Sequence, residues 1–332
     1  MTKAVLFHQF GGPEVLEIED IPTPRPGMGE VRLKMHAVGL NRADSMLYRG
    51  VSSRQAHLPS LVGCEGAGTV EAVGPGADQA WLGKKVAMLP TSITGQYGTL
   101  GEQVIAPVAS LVGYPEGFSD SECSGIWLQY LTAYVGLIEV AHVGARDFLV
   151  ITSASSNLGI ALLQVARKER TSTIAVIRDG RWKRELLKMG ADYVIASDEE
   201  DLEPRIQEIT KGRGPRIVFS AMSEPPLATV IPLMEPGGIL LESEDLVELG
   251  RKSPIRATVP ASITVRKCQA EEVADDPGRL ASAIRYICEG LKFGHLQVDI
   301  ARKFPFPQVS EAYRCLESNE TLGKIVVTFP NP

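Results

Sequence analysis

Hydrophobic and polar positions divide the chain into a strand-rich first part, an alternating middle part and a mixed last part. Up to about residue 121, short segments with the two-residue alternation of strands, such as 30–35 and 68–73, lie between clusters of Gly and Pro. This pattern predicts a small antiparallel domain with a partly closed sheet. From about residue 126, apolar strand-like segments alternate with helical faces. The strands predicted there are 148–152, 173–177, 193–195, 216–219 and 239–242.

The alternation of strands and helices in the middle part predicts a parallel sheet that is covered on both sides. After about residue 259 the pattern becomes mixed again, with a predicted helix over 277–292 and a final strand over 324–329. The expected fold class is therefore α/β, with a doubly wound parallel sheet and a separate β-rich domain.

The segment 147–184 has the most specific pattern in the chain. A strand, a turn of small residues over 153–159, a helix and a second strand follow one another. This order is typical of a unit that binds a dinucleotide, because the turn lets the backbone approach a pyrophosphate and the helix N-terminus offers free N–H groups. The usual fingerprint has three glycines, whereas this turn keeps Gly159 and has Ser153 and Ser156 in the other two places. A serine is still small, and its hydroxyl can donate to a phosphate oxygen.

The residue after the second strand indicates which dinucleotide is bound. An acidic residue there would bind the ribose of NAD, but this chain has Arg178, 19 residues after Gly159 and close to the ~20 expected for this position. A guanidinium at a strand end predicts a contact with the 2′-phosphate of NADPH. Arg181 and Arg184 follow, and a solvated helix face is the favoured interpretation for them.

Composition narrows the classes of function. With 332 residues the chain exceeds one ordinary hydrophobic core, so two domains are expected. The net charge of −6 gives no support for nucleic-acid binding, which needs a basic face. No apolar run is long enough to cross a bilayer, and the first residues enter a strand-like segment without a long apolar targeting region. The five scattered cysteines are expected to be reduced thiols of a cytoplasmic protein.

Five further segments carry a family resemblance. They are FGGPEVL (10–16), GLNRAD (39–44), GCEGAGTVEAVG (63–74), WLQYLTAY (127–134) and LGKIVV (322–327). Together and in this order, they make the chain resemble the medium-chain dehydrogenase/reductase superfamily over nearly its whole length. Within that superfamily it resembles the zinc-free quinone oxidoreductase branch, which is zeta-crystallin-like.

The resemblance implies three segments. They are an N-terminal GroES-like substrate domain over 1–125, a Rossmann NADPH-binding domain over 126–260, and a C-terminal segment over 261–332 that completes the substrate domain. NADPH would lie in the cleft between the domains, and the protein would be a homodimer.

The resemblance also implies which residues contact the cofactor. Asn41 is expected near the nicotinamide ribose and the reacting atoms, and Thr132 at the nicotinamide end; alternatively Asn41 satisfies a turn and Thr132 caps a helix. The other expected cofactor contacts are Ser155, Ser156, Asn157 and Leu158 with the pyrophosphate, Arg178 and Lys183 with the 2′-phosphate, and Lys324.

The expected acceptor pocket is shaped by Tyr48, Trp127 and Gln129. Asn41 and Tyr48 are the candidate catalytic residues. Tyr48 would donate a hydrogen bond to a developing enolate oxygen, and the alternative that it is a surface or packing aromatic stays open.

Four positions differ from the pattern of the relatives. Ser52 stands where an aromatic residue is common, and Ser197 where a tyrosine often stacks on adenine. Met222 and Glu242 lie in loops that contain glycine in relatives. These changes concern residues that are expected to line both the cofactor site and the acceptor pocket. They indicate either a specialised acceptor, such as a bulky biosynthetic intermediate, or a protein that binds the cofactor poorly.

No metal is expected. Zinc-dependent relatives have a Cys where this chain has Asn41 and a His where it has Cys64. Catalytic zinc needs about three protein ligands, and Cys64 with Glu65 does not make that set. The sequence also lacks the closely spaced four-cysteine lobe of a structural zinc site.

Three functions are compatible with these features. The leading one is NADPH-dependent hydride transfer, without metal, to a quinone or to the C=C bond of an α,β-unsaturated carbonyl, which requires orientation, exclusion of water and donors near the enolate. The second is an enoyl-thioester reductase, because AVIRD (175–179) is similar to the mitochondrial type. The third is a non-catalytic NADPH-binding or structural protein, as the lens crystallins of this family illustrate.

Overall fold

The computed structural model describes residues 1–52, 56–90, 97–220, 226–243, 259–274 and 276–330, and Met222 lies outside these ranges. Contacts within the chain divide it into two compact units. The first unit comprises Met1–Leu128, Ala274–Leu280 and Val298–Pro332, and the second comprises Gln129–Val273 and Ala281–Gln297.

Strands and helices are numbered along the chain. The strands are β1 Thr2–Phe7, β2 Glu17–Ile21, β3 Glu30–Gly39, β4 Ser60–Leu61, β5 Gly66–Val73, β6 Lys85–Met88, β7 Gln103–Pro107, β8 Leu111–Gly113, β9 Phe148–Thr152, β10 Ser172–Ile177, β11 Tyr193–Ala196, β12 Ile217–Ser220, β13 Ile239–Glu242, β14 Thr264–Lys267, β15 Ile300–Pro305 and β16 Lys324–Thr328. The α-helices are α1 Arg42–Arg49, α2 Asp120–Cys123, α3 Trp127–Ala133, α4 Asn157–Lys168, α5 Lys183–Met189, α6 Leu202–Thr210, α7 Pro226–Val230, α8 Glu271–Ala274, α9 Pro277–Lys292 and α10 Val309–Ser318.

The first unit is organised around the long strand β3. Its buried side chains alternate through Val31, Leu33 and Met35, as expected of a strand with one face in the core. β3 pairs antiparallel with β5, β7 and β16 in a seven-stranded sheet of order β15-β16-β3-β5-β6-β8, in which β7 joins through β3. A second sheet has the order β2-β1-β4. The last strand of the chain thus lies directly beside its central strand.

The second unit contains a six-stranded parallel sheet of order β11-β10-β9-β12-β13-β14. Counted within the unit, this is the order 3-2-1-4-5-6 of a doubly wound dinucleotide-binding sheet, whose order reverses at β9. The predicted fold class is confirmed. The sequence pattern predicted five of the six strands and missed β14, an edge strand of exposed and half-buried residues that lacks the apolar run of the buried strands.

The residues after 260 do not all belong to the first unit, as the family resemblance had led us to expect. Ala281–Gln297 belong to the second unit. Two partly buried hydrogen bonds join this segment to helix α4 and to the residue that follows it. The Tyr286 hydroxyl donates to Glu169 at 2.8 Å, and the backbone N–H of Gln297 donates to Gln164 Oε1 at 2.8 Å.

Within the described ranges, no helix is both long and apolar enough to span a bilayer.

Gly159 lets helix α4 pack closely against the turn that follows strand β9. A Cβ atom at this position would lie 2.5 Å from the carbonyl oxygen of Ala154 and 2.6 Å from its Cα. Both are backbone atoms, so no side-chain rotation can relieve the contact. Close helix–strand packing is the role of the last glycine in the dinucleotide fingerprint, which this chain has kept.

We expect Gly159→Ala to lower the free energy of unfolding by about 2 kcal/mol, because the added methyl group overpacks this contact. Urea unfolding followed by circular dichroism measures the change. Gly144→Ala is the matched control, since a Cβ at Gly144 would meet nothing within 4 Å. Equal stability of the two variants would contradict the proposed contact.

Candidate active site

The turn between β9 and α4 is formed by small residues and is stabilised by backbone hydrogen bonds and by a serine side chain. Ser153 stands where the fingerprint has its first glycine, and it adopts a left-handed backbone conformation with φ 52°. Ser156 caps α4 by accepting a hydrogen bond from Gly159 N at 3.0 Å. The buried hydroxyl oxygens of Thr152 and Ser153 have no hydrogen-bond partner among the described residues. Such groups are usually satisfied by a ligand or by water.

The N-terminus of α4 offers two further donors. The helix begins at Asn157, and its first backbone hydrogen bond runs from Ile160 N to Ser156 O at 2.9 Å. The N–H groups of Asn157 and Leu158 therefore precede the helical ladder, and a helix start of this kind can donate to an anion. Ser155 lies half-buried in the same turn. The structure thus brings together the four residues expected at the pyrophosphate.

The end of β10 carries the cations that were expected at a 2′-phosphate. Arg178 follows the strand directly and is exposed. Arg181 donates to the Asp179 carboxylate at 2.8 Å, and this bond, together with the charge of Arg178, holds the pKa of Asp179 below its usual value. Lys183 begins α5 and lies 2.8 Å from Glu200, whose pKa it lowers.

The sequence pattern predicted a basic cluster here that only Asp179 offsets, and it did not predict the further carboxylates of residues 198–201 beside it. The acidic run 198–201 follows β11, and its backbone is hydrogen-bonded to the end of β10 through Ser197 N to Ile177 O and Asp198 N to Arg178 O. The acidic run itself can be read from the sequence. Its proximity to Arg178 cannot, because it depends on the pairing of β10 with β11. Ser197 also borders a surface cavity of about 490 Å³. The cavity is lined by Ser197, Glu200, Asp201, Leu202, Glu203, Pro204 and Thr229.

A buried polar cluster occupies the first unit, where Asn41, Glu65 and Lys324 meet. The Lys324 ammonium donates to Glu65 Oε1 at 2.6 Å and to Asn41 Oδ1 at 2.7 Å, and Asn41 Nδ2 donates to Glu65 Oε1 at 3.0 Å. The side chains of Lys324 and Glu65 are 1% and 0% exposed, so the cluster is a desolvated ion pair bridged by an amide. Because an ammonium has no acceptor, Asn41 must direct its oxygen towards Lys324.

The second carboxylate oxygen of Glu65 holds the start of helix α3. Glu65 Oε2 accepts from the backbone N–H groups of Trp127 and Leu128 at 3.0 and 3.1 Å. A carboxylate at this position satisfies orphan donors and complements the positive end of the helix. Room for the lysine stem is provided by two glycines, since a Cβ at Gly39 or Gly125 would lie within 2.8 Å of Lys324 side-chain carbons.

Asn41 also begins helix α1. Its backbone N–H donates to Asp44 Oδ2 at 2.9 Å, which forms a capping box. Burial raises the pKa of Asp44 to about 6, and its bond from Asn41 opposes the shift. The backbone N–H of Asn41 therefore has a local structural role at the start of α1, as the alternative stated. Its side chain takes part in the buried cluster with Glu65 and Lys324.

Tyr48 lies in the hydrophobic core of the first unit and is 0% exposed. Its hydroxyl donates to Glu317 Oε1 at 2.6 Å, and its ring meets the edge of Tyr313 at a centroid distance of 5.3 Å. The structure therefore favours the alternative of a packing aromatic over a donor to an enolate.

The remaining expected residues lie at several buried positions. Trp127 and Gln129 are buried near the start of α3, and neither Trp127 Nε1 nor Gln129 Oε1 has a hydrogen-bond partner in the described part of the chain. Thr132 is buried further along the same helix, so it does not cap it. Ser52 is half-buried after α1, and Glu242 is buried at the end of β13.

We expect Lys324→Met to lower the free energy of unfolding by about 3–5 kcal/mol, because it leaves the Glu65 carboxylate buried without its counter-charge. Adding Glu65→Gln should recover part of this loss. Lys303→Met, at an exposed position on the neighbouring strand β15, is the control and should change stability by less than about 0.5 kcal/mol. Urea unfolding measures all three, and a Lys324→Met protein as stable as the control would contradict the buried pair.

Two family models match the chain, the alcohol dehydrogenase GroES-like domain over residues 27–138 and the zinc-binding dehydrogenase model over residues 189–327. The chain is 27% identical to the quinone oxidoreductase of Pongo abelii, over 98% of each chain. It is 24% identical to the 2-haloacrylate reductase of a Burkholderia species, over 98% of this chain and 99% of the relative.

The fold also matches a solved structure. The Escherichia coli quinone oxidoreductase complexed with NADPH superposes with a TM-score of 0.87 at 23% identity, covering 98% of this chain and 99% of the other. The matches extend over both units and include the segments that carry the resemblance. The chain belongs to the medium-chain dehydrogenase/reductase superfamily, in its quinone oxidoreductase branch.

Proposed function

We propose that the protein is an NADPH-dependent reductase that transfers hydride to a quinone or to the C=C bond of an α,β-unsaturated carbonyl. One observation carries the proposal: the open turn of β9–α4 and the exposed Arg178 lie at the ends of adjacent parallel strands in a sheet of order 3-2-1-4-5-6. Pyrophosphate and adenosine are bound at these two strand ends in such sheets. The named relatives, a quinone oxidoreductase and a 2-haloacrylate reductase, support the two classes of acceptor.

The residues of the turn fit NADPH chemically. The N–H groups of Asn157 and Leu158 and the buried hydroxyls of Thr152 and Ser153 supply donors where a pyrophosphate needs them. Arg178 supplies a guanidinium suited to a 2′-phosphate. When bound, NADPH supplies the hydride, so the chain itself has to bind, orient and exclude water.

Asn41 acts as a positioning residue in this proposal. Lys324 and Glu65 hold its side chain on both sides, at 2.7 and 3.0 Å. Asn41 Oδ1 accepts from Lys324 and keeps a second lone pair, which can accept a hydroxyl proton of the ribose. Lys324 positions Asn41 from within the buried cluster, where its own side chain is 1% exposed.

We also propose that the reaction needs no metal, although one matching family model is described as a zinc-binding dehydrogenase. Asn41 and Cys64 stand where zinc-dependent relatives have ligands, and the carboxylate beside them, Glu65, already carries the Lys324 ammonium at 2.6 Å. A divalent cation would have to displace this ammonium from a buried site. The finer expectations of a cytoplasmic homodimer belong to the same proposal.

The three candidate functions are separated by binding and turnover measurements. We expect NADPH to bind and to be oxidised in the presence of a quinone or an enone, with the same rate after treatment with EDTA. Preferred turnover of an enoyl thioester would favour the second candidate. Tight binding of NADPH without turnover of any acceptor would favour a non-catalytic protein, and a loss of activity in EDTA would contradict the metal-free mechanism.

We expect Arg178→Ala to weaken NADPH binding about tenfold and to leave NADH binding unchanged, because only the phosphorylated coenzyme uses this charge-assisted contact. Isothermal titration calorimetry measures both dissociation constants. Arg184→Ala is the matched control, since Arg184 is an exposed arginine on α5 for which a solvated face was predicted. An equal effect of the two substitutions on NADPH would contradict the role of Arg178.

A further inference from the structure

Glu200 forms a bridge between two cations beside the strand end where the 2′-phosphate is expected. Its Oε1 lies 2.8 Å from Lys183 Nζ, and its Oε2 lies 3.6 Å from Arg205 Nε. Lys183 is the residue that the family resemblance assigns to the 2′-phosphate. One of the two expected phosphate ligands is therefore already paired with a carboxylate of the same unit.

The acidic segment is held in place by the backbone. Ser197 N and Asp198 N donate to the carbonyl oxygens of Ile177 and Arg178 at 2.8 and 2.9 Å, which fixes the start of the segment against the end of β10. Further along, the Glu199 carboxylate accepts from Gly180 N at 2.8 Å. These bonds keep Glu200 close to the loop that follows Arg178.

We propose that Glu200 is a specificity-determining residue that competes with the 2′-phosphate of NADPH for Lys183, and so reduces the preference for NADPH over NADH. This inference rests on the proposed function. A 2′-phosphate carries a charge of about −1.5 to −2 near pH 7, so it gains from Lys183 only if the ammonium leaves Glu200. The remaining carboxylate then repels the phosphate. NADH lacks this group, and its binding does not involve the exchange.

Glu208 offers a control for Glu200, because it shares the partner Arg205 but not the contact with Lys183. Glu208 on α6 also pairs with Arg205, and both glutamates lie in the second unit. Removing either charge changes the net charge of the region equally, but only Glu200 contacts Lys183. The proposal therefore requires Glu200→Gln and Glu208→Gln to behave differently.

The test compares ligands with and without the 2′-phosphate. Isothermal titration calorimetry of the full chain is carried out with NADPH and NADH, and with the fragments 2′,5′-ADP and 5′-AMP. For Glu200→Gln we expect the dissociation constants of NADPH and 2′,5′-ADP to fall about fivefold, as an exposed ion pair is worth up to about 1 kcal/mol. Those of NADH and 5′-AMP should not change, and Glu208→Gln should resemble the wild type.

A double variant tests whether the gain in affinity of Glu200→Gln depends on Lys183. Because the gain requires a freed Lys183, Glu200→Gln should lose most of its benefit when combined with Lys183→Ala. Unchanged or weaker binding of 2′,5′-ADP by Glu200→Gln would overturn the proposal, as would an equal gain in Glu208→Gln or an undiminished gain in the double variant.

These outcomes are distinct from those that test the reductase activity. If the wild type binds NADPH but reduces no acceptor, the proposed function fails, while the difference between Glu200→Gln and Glu208→Gln still decides the present inference. If no variant binds NADPH or 2′,5′-ADP, both are overturned.

Discussion

The contact between the Lys324 ammonium and the Glu65 carboxylate is the interaction on which the first unit depends. A charge pair with both side chains about 1% exposed or less is tolerated only when every remaining polar atom is satisfied. Asn41 and the backbone N–H groups of Trp127 and Leu128 supply those partners. The pair thereby fixes the start of α1, the start of α3 and the last strand of the chain in one arrangement.

Charged groups in the second unit are arranged differently, at the ends of two adjacent strands. Its turn after β9 presents donors to an anion, yet the strand end beside it combines cations with carboxylates. Arg178 remains exposed, while Arg181 and Lys183 are paired with Asp179 and Glu200. The turn after β9 is thus suited to negative charge, whereas the end of β10 is less so, because two of its cations are already paired with carboxylates.

Local patterns were sufficient to predict the fold class and the small-residue turn that follows β9. Two-residue alternation identified β3, apolar runs identified five strands of the parallel sheet, and the small residues over 153–159 identified the turn. Long-range pairing was beyond such patterns. That Lys324 is buried against Glu65, 259 positions away, follows from the pairing of β16 with β3. Tyr48 was ambiguous for the same reason, because its partner Glu317 comes from α10, late in the chain.

The position of Lys324 near the end of the sequence also means that Glu65 is translated long before its counter-ion. Domains fold as units as the chain emerges, from the N-terminal side first. Glu65 leaves the ribosome early, but its counter-ion and the strand beside β3 are made only when β16 is translated. Until then Glu65 lacks its counter-charge, and β3 lacks the strand that pairs with its C-terminal half. The first unit therefore completes its fold after most of the second unit has already been synthesised, although it begins first.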